Sequence, residues 1–376
     1  MNIAIDIRAI GKKRTGDEVY TLELIKGLSQ LEIGHKFYLF TDTEDWYQVP
    51  TLKNLPNNWR VIPLLPKSKL IWTEYLLPKA CHQYNIDLLH IQYIAPLFGL
   101  PKYTKMLNTI HDISWKFVPQ HIKFLDKFLL NTLIPQSIQK SDAIITVSKH
   151  SKYAIQNIFG TNLNKIHNIY NGGHISNIPT VISNSQKVGM ALKKEYILYL
   201  GSLQPRKNIP IALQAFAKYI ESNPYSKLKF IIAGGKGYNY DTQIDETISK
   251  YNLQDRVIFV GFITDEEKIL LLKQAKAFMY LSLYEGFGIP IIEAMSLNTP
   301  IISSNLSCLP EVVGDAGILV DPYDVEAITK SITTLVHNPL IAKEYREKGL
   351  ERAKAFTWQN MVQQTYSVYK KLLLEQ

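Results

Sequence analysis

Cysteine is nearly missing from this 376-residue chain: Cys81 and Cys308 are its only two. Two thiols build no disulfide framework and no cysteine-based metal site, so a reducing cytosol is the expected setting. Long apolar runs are missing as well. No window approaches the ~18 consecutive apolar residues of a membrane-spanning helix. The start, Met1 to Ile7, alternates around an early Asp6, which argues for a strand and against a signal peptide. His90 and His174 have no partner at metal-ligand spacing, and the acidic run Asp42, Thr43, Glu44, Asp45 reads as a polar loop after an apolar strand. No metal is therefore expected. Internal repeats and low-complexity tracts are absent too.

What is present is enough chain for two α/β domains of about 150–200 residues each. The formal charge is +9 and unevenly placed. Residues 1–190 carry 21 Lys and Arg against 13 Asp and Glu, and the remainder carries 21 against 20. The excess includes Lys12, Lys13, Arg14, Lys102, Lys105, Lys116, Lys123 and Lys127. An anionic membrane face, a phosphorylated acceptor and a plainly solvated surface all fit such a bias. Nucleic acid fits less well, because no recognisable module interleaves aromatic residues with the positive charge.

Short β-branched runs alternate with longer amphipathic stretches, the pattern of parallel sheets covered by helices. Strands are expected at 2–7, 36–40, 86–91, 106–110, 143–147 and 166–170, and a second series at 196–200, 230–233, 257–260, 277–281, 300–303 and 317–320. Helices in the second series are expected near 208–222, 240–251, 265–275, 288–297 and 324–336. The division that follows is a first Rossmann-like domain at 1–175, a linker at 176–192 and a second Rossmann-like domain at 193–355. A final helix at 356–376 carries Trp358, Met361, Val362, Thr365, Tyr369 and Leu372 on one face. Two doubly wound domains facing across a cleft would hold a ligand beyond the carboxyl ends of their strands.

The most informative segment runs from Tyr284 to Met295. It follows an expected strand, and Pro290 suits the first turn of a helix. Gly286 and Gly288 keep the loop free of bulk, so a ligand can approach the backbone around Phe287 and Ile289. The amides at this helix start form an anion seat. Glu293 lies one turn in, and helical side chains lean toward the amino end. Its carboxylate would reach back toward the seated group, where it could accept hydrogen bonds from a ribose diol. Glu285 stands on the other side, where a sugar would be. A second polar turn, from Gly201 and Ser202 to Arg206, Lys207 and Asn208, follows another strand. Its two fixed cations can stabilise charge that develops on a departing diphosphate, a task that falls elsewhere to magnesium.

Arg206-Lys207-Asn208, the loop from Glu285 to Glu293, Leu309-Pro310-Glu311-Val312 and Gly314-Asp315-Ala316 together resemble glycosyltransferase family 4, retaining enzymes of the GT-B fold. The resemblance is strongest over about 195–330 and covers most of the chain. It implies that Glu293 holds the donor ribose and that Arg206 and Lys207 hold the diphosphate. It further implies that Glu285, Phe287 and Gly288 touch the transferred sugar in a metal-independent reaction with retention. In the first half, Thr109-Ile110-His111-Asp112 is similar to the family's strand-end histidine motif beside the donor sugar, the bland reading being a satisfied loop histidine. Thr146-Val147-Ser148 with Ser151 matches another strand end, where helix capping and ligand proximity remain equally open. Gly16 takes the helix-start glycine role, but Asp17 stands where many members have a second glycine.

The expected function is a hexosyltransferase, with mannose favoured, acting from a GDP- or UDP-linked sugar, with no other cofactor. A saccharide or lipid-linked acceptor of surface polysaccharide synthesis is expected, in the cytoplasm or at the inner face of the membrane. Two other readings stand beside it: a nucleotide-sugar epimerase on the same fold, and a non-catalytic nucleotide-sugar-binding subunit.

Overall fold

A computed structural model describes residues 1–11, 16–65, 68–121, 124–175, 186–237 and 239–374. The basic residues Lys12, Lys13, Arg14 and Lys123, and 176–185 of the expected linker, lie outside the described residues. The chain forms two compact units: Met1–Trp115, Ile122–Gly172 and Trp358–Gln376 make the first, while Lys116–His121 and Gly173–Thr357 make the second.

The sheet of the first unit has seven described strands: β1 (Asn2–Asp6), β2 (Lys36–Thr41), β3 (Trp59–Pro63), β4 (Leu88–Gln92), β5 (Lys105–Thr109), β6 (Ala143–Thr146) and β7 (Ile166–Asn168). Their order is β3-β2-β1-β4-β5-β6-β7, with every pairing parallel. The chain starts in the middle and winds outward both ways, so the order reverses between β1 and β4. Strand β3 was not expected from the sequence. It carries Arg60 and Pro63 and pairs only with β2, and an edge position tolerates both.

Helices α1 (Gly16–Ser29), α2 (Phe124–Lys140) and α3 (Lys149–Phe159) cover this sheet. One main cluster of its core joins Ile3, Ile5 and Leu107 to Tyr20, Leu24 and Leu28 of α1. The same cluster contains Met361, Val362, Tyr369 and Leu372, so the last helix of the chain completes the core of the first unit. At Gly27 an added Cβ would stand 2.4 Å from Val362 Cγ2, and glycine is what lets these two helices approach so closely.

The second unit has six described strands: β8 (Tyr196–Leu200), β9 (Lys229–Ala233), β10 (Val257–Gly261), β11 (Ala277–Tyr280), β12 (Ile301–Ser304) and β13 (Ile318–Val320). They are parallel, in the order β10-β9-β8-β11-β12-β13, and the reversal falls between β8 and β11. Between them run α4 (Gln186–Leu192), α5 (Ile209–Ser222), α6 (Gln243–Lys250), α7 (Asp265–Gln274), α8 (Ile289–Ser296), α9 (Val325–His337) and α10 (Pro339–Ala353), and the chain ends in α11 (Trp358–Leu374).

Helix α4 corrects the expected linker: 186–192 is helical, with Val188 and Ala191 buried in the second unit. Local signals set several helix starts. Thr264 and Glu267 form a reciprocal capping box on α7, and Asp324 accepts from the Ala327 amide at the start of α9.

Candidate active site

Sheet order explains how residues far apart in sequence meet. Strands β8 and β11 are hydrogen-bonded neighbours, with Ala277 opposite Ile197 and Phe278 opposite Leu198. The loops leaving their carboxyl ends therefore lie side by side at the point where the winding reverses. One loop carries Arg206 and Lys207; the other carries Glu285. The second unit brings all three together. Arg206 Nη1 donates to Glu285 Oε2 at 3.0 Å and to the Tyr284 carbonyl at 3.0 Å. Lys207 Nζ is hydrogen-bonded to Glu285 Oε1, donates to the Tyr280 hydroxyl at 2.8 Å and lies 5.0 Å from the centre of that ring. Glu285 and Lys207 are both buried, while Arg206 keeps about a quarter of its side chain exposed.

Electrostatics follow from that packing. Burial alone would raise the Glu285 carboxyl, but the ammonium of Lys207 and the guanidinium of Arg206 outweigh it and hold the group at about 2. Tyr199 and Tyr280 move the other way: burial first, and the Glu285 charge second, push both phenols well above their usual range. The site thus keeps two fixed cations against one fixed carboxylate, a net positive patch beside neutral phenols.

The loop around Glu285 is held by its neighbour. Ser307 Oγ accepts from the Glu285 amide at 3.1 Å, and the buried Cys308 thiol reaches the carbonyls of Glu285 and Phe287, each at 3.2 Å. Phe117 stacks on Tyr284 at 4.9 Å between ring centres. Gly288 caps α8 at φ +108°, a conformation that side chains rarely adopt, and Pro290 follows in the first turn. Gly286, Phe287 and Gly288 are buried and lead directly to Ile289, the first helical residue. Pro290 has no amide proton and the Ile291 amide already donates to the Gly288 carbonyl at 3.0 Å, which leaves the Ile289 amide for an acceptor from outside.

Glu293 lies on α8, partly buried, and pairs with Lys268, whose ammonium also meets Asp265 at 3.1 Å. Sequence reasoning missed Lys268 and Tyr280, because neither belongs to a recognisable motif. It missed Cys308 as a loop anchor for the same reason. Asn208, after the two cations, adopts a left-handed conformation (φ +57°) that asparagine tolerates, and its amide donates to the Pro322 carbonyl at 2.7 Å. Ser202 is exposed, and its carbonyl accepts from the Tyr199 hydroxyl at 2.7 Å.

His111 and Gly16 belong to the first unit. Gly16 opens α1. The His111 ring is buried, meets Tyr20 edge-on at 4.8 Å, and places Nε2 2.8 Å from Gln92 Oε1 and 3.8 Å from the Asp17 carboxylate. Asp17 is thus beside the histidine. Tyr93, next after β4, is held at φ +61°, an outlier for an aromatic residue, by its amide donating to Thr109 and its carbonyl accepting from Asn108. A cavity of about 250 Å³ opens where the sheet order reverses, lined by Asp6, Arg8, Asp17, Asp42, Gln92 and Tyr93 among others. Ser148 caps α3 by accepting from the Ser151 amide at 3.1 Å. The His90 ring is bonded to Tyr369 at 2.6 Å and to Thr109 at 2.7 Å.

Two doubly wound parallel-sheet units of this order define the GT-B class of glycosyltransferase fold. Comparison with solved structures agrees. The chain is similar over its whole length to sucrose-phosphate synthase from Thermosynechococcus elongatus (TM-score 0.75, 21% identity, 100% of both chains). It is similar also to HepE of Anabaena in complex with UDP and glucose (TM-score 0.76, 18% identity, 99% of this chain and 100% of that one). The family model "Glycosyl transferases group 1" matches residues 181–355, and "Glycosyltransferase Family 4" matches residues 14–176. Among curated proteins, the O-antigen chain mannosyltransferase B of Escherichia coli is 30% identical, over 99% of this chain and 100% of its own. The O-antigen chain mannosyltransferase RfbU of Salmonella typhimurium is 25% identical, over 89% and 91%. The chain belongs to the group 1 glycosyltransferases, and it is a glycosyltransferase.

Proposed function

We propose that the chain is a retaining, metal-independent mannosyltransferase that takes its sugar from a GDP-linked donor and adds it to a saccharide or lipid-linked acceptor of a surface polysaccharide. The observation that carries the reading is the meeting of Arg206, Lys207 and Glu285 at the switch point of the second sheet, next to the start of α8. The two relatives named as O-antigen mannosyltransferases support the choice of sugar and product.

In this mechanism the donor diphosphate lies against Arg206, Lys207 and the Ile289 amide at the start of α8. Negative charge grows on its leaving oxygen as the anomeric bond lengthens toward an oxocarbenium-like state. Two cations already fixed by packing meet that charge without reorganising, so they favour the transition state over the bound donor. The acceptor hydroxyl attacks from the face that the diphosphate leaves, and a diphosphate oxygen takes its proton. Glu293 accepts from the ribose diol and shares its charge with Lys268. Glu285 sets the two cations in place and, with Phe287 and Gly288, borders the transferred sugar. His111 contacts a sugar hydroxyl.

A thermal-shift panel of GDP, UDP, GDP-mannose and UDP-glucose, run in a metal chelator, tests the reading. Selective stabilisation by the guanine compounds, lost in Arg206→Ala, is expected; at 100 times the dissociation constant a ligand adds about 2.7 kcal/mol. Selective stabilisation by the uracil compounds sinks the donor assignment. No stabilisation by any of the four sinks the whole reading. The anomeric configuration of the product, read by proton NMR, decides retention.

A further inference from the structure

A directional hydrogen-bond chain ends on His111, and each link has only one possible sense. The Thr21 hydroxyl donates its single proton to the Asp17 carbonyl at 2.6 Å. Thr21 Oγ1 is therefore left to accept, and Gln92 donates its amide to it at 2.7 Å. That fixes which end of the Gln92 amide is oxygen, and the oxygen faces His111 Nε2 at 2.8 Å. An amide oxygen has no proton to give, so Nε2 must carry one. A neutral imidazole protonated at Nε2 has its lone pair at Nδ1. Among the described residues, Gln92 is the only hydrogen-bond partner of the ring; the Asp17 carboxylate stands 3.8 Å from the same Nε2, beyond hydrogen-bond reach, and its charge also favours a proton there. Tyr20, edge-on at 4.8 Å, restrains its rotation.

We propose that Gln92 is a positioning residue that locks His111 in the Nε2–H tautomer. His111 then presents a pure acceptor at Nδ1 and selects a ligand hydroxyl over a phosphoryl or carboxylate oxygen. An anion offers only lone pairs, and two lone pairs repel; a sugar hydroxyl offers the proton that Nδ1 lacks. The second half of this proposal rests on the sugar-transfer reading, while the first half stands on the chain of bonds alone. The hydroxyl belongs to a sugar, either of the nucleotide donor or of a free saccharide, and the two sources separate by experiment.

The tautomer is read by long-range proton–nitrogen NMR on ¹⁵N-histidine-labelled protein without ligand at neutral pH, with His111 assigned from the signal lost in His111→Asn. Wild type is expected to show a protonated Nε2 and a bare Nδ1. Gln92→Leu removes the acceptor and should give a mixture of tautomers. Thr21→Val removes the group that orients the amide and should do the same. Gln92→Glu keeps an oxygen facing the ring and should restore the protonated Nε2. A protonated Nδ1 in wild type, or a tautomer indifferent to Gln92→Leu, overturns the proposal.

Binding is then measured by calorimetry with GDP, GDP-mannose and methyl α-mannopyranoside. Loss of one neutral hydrogen bond, about 0.5–1.5 kcal/mol, corresponds to ~2–10-fold weaker binding. Gln92→Leu should weaken GDP-mannose but leave GDP unchanged if the hydroxyl is the donor's, and weaken the mannoside if it is the saccharide's. Equal binding of all three by wild type and Gln92→Leu overturns the hydroxyl assignment. A wild type that binds neither sugar compound overturns that assignment together with the donor reading, whereas the NMR result is unaffected.

Discussion

Glu285→Ala leaves the Lys207 ammonium buried without its carboxylate. Both side chains are less than a tenth exposed, so solvent screens the pair little. Breaking a buried pair from one side costs about 3–5 kcal/mol, chiefly the desolvation of the abandoned charge. At ~2 kcal/mol per molar urea, that lowers the unfolding midpoint by about 1.5–2.5 M. The chain supplies its own control. All five tryptophans, Trp46, Trp59, Trp72, Trp115 and Trp358, lie in the first unit. Tryptophan fluorescence follows that unit, whereas far-ultraviolet circular dichroism follows both. Glu285→Ala should split the dichroism transition and shift its second-unit part downward, with the fluorescence midpoint unmoved. Adding Lys207→Met should recover most of the loss, because the partners couple and their effects do not add. A dichroism shift below about 0.3 M, or an unimproved double variant, would refute the idea that the pair is interdependent and buried.

Acid should act on the two units in different windows. Burial first, and the nearby His111 second, hold the His90 ring at about 3 against its ordinary 6.5. Between those values the unfolded chain binds a proton that the folded unit refuses, so first-unit stability falls as pH drops below about 6.5, by ~1.4 kcal/mol per unit. Glu285, held at about 2 against 4.5, withdraws its contribution only as pH falls below about 4.5. Fluorescence should thus register acid before the second-unit dichroism does, and a common midpoint would contradict both shifts. In steady-state kinetics Glu293→Ala should mainly raise the donor KM, and Lys207→Ala should mainly lower kcat; the reverse pattern contradicts the roles proposed. Gly27→Ala places a methyl against Val362 and should destabilise the first unit by about 1–3 kcal/mol, visible in fluorescence and silent in the second-unit dichroism.

Much of the fold was legible because central parallel strands are buried on both faces and read as apolar runs. Twelve of the described strands fall where apolar runs stand, the edge strands β7, β10 and β13 included, and β3 escaped because Arg60 and Pro63, which its edge position admits, break its run. Helix α10 escaped for a related reason: its run from Lys343 to Lys348 is mostly charged, and only Ala342, Gly349 and Ala353 are buried. The loops of the site were legible from their glycines, Pro290 and the cations that follow strand ends. Their joining was not. Arg206 and Glu285 stand 79 residues apart, and only the order β8 beside β11 makes them neighbours. Nor could spacing reveal Lys268 as the partner of Glu293, since the contact runs between two separate helices.

Helix α11 gives the chain an unusual order of birth. Its Met361, Val362 and Tyr369 fill a core that otherwise consists of residues encoded in the first half. On the ribosome, the early half emerges with that core unplugged and waits while the entire middle of the message is read. The unit encoded second can finish first, and a nascent chain stalled before residue 358 would expose a greasy groove that invites chaperones. A stop codon anywhere before residue 358 therefore damages the unit encoded first.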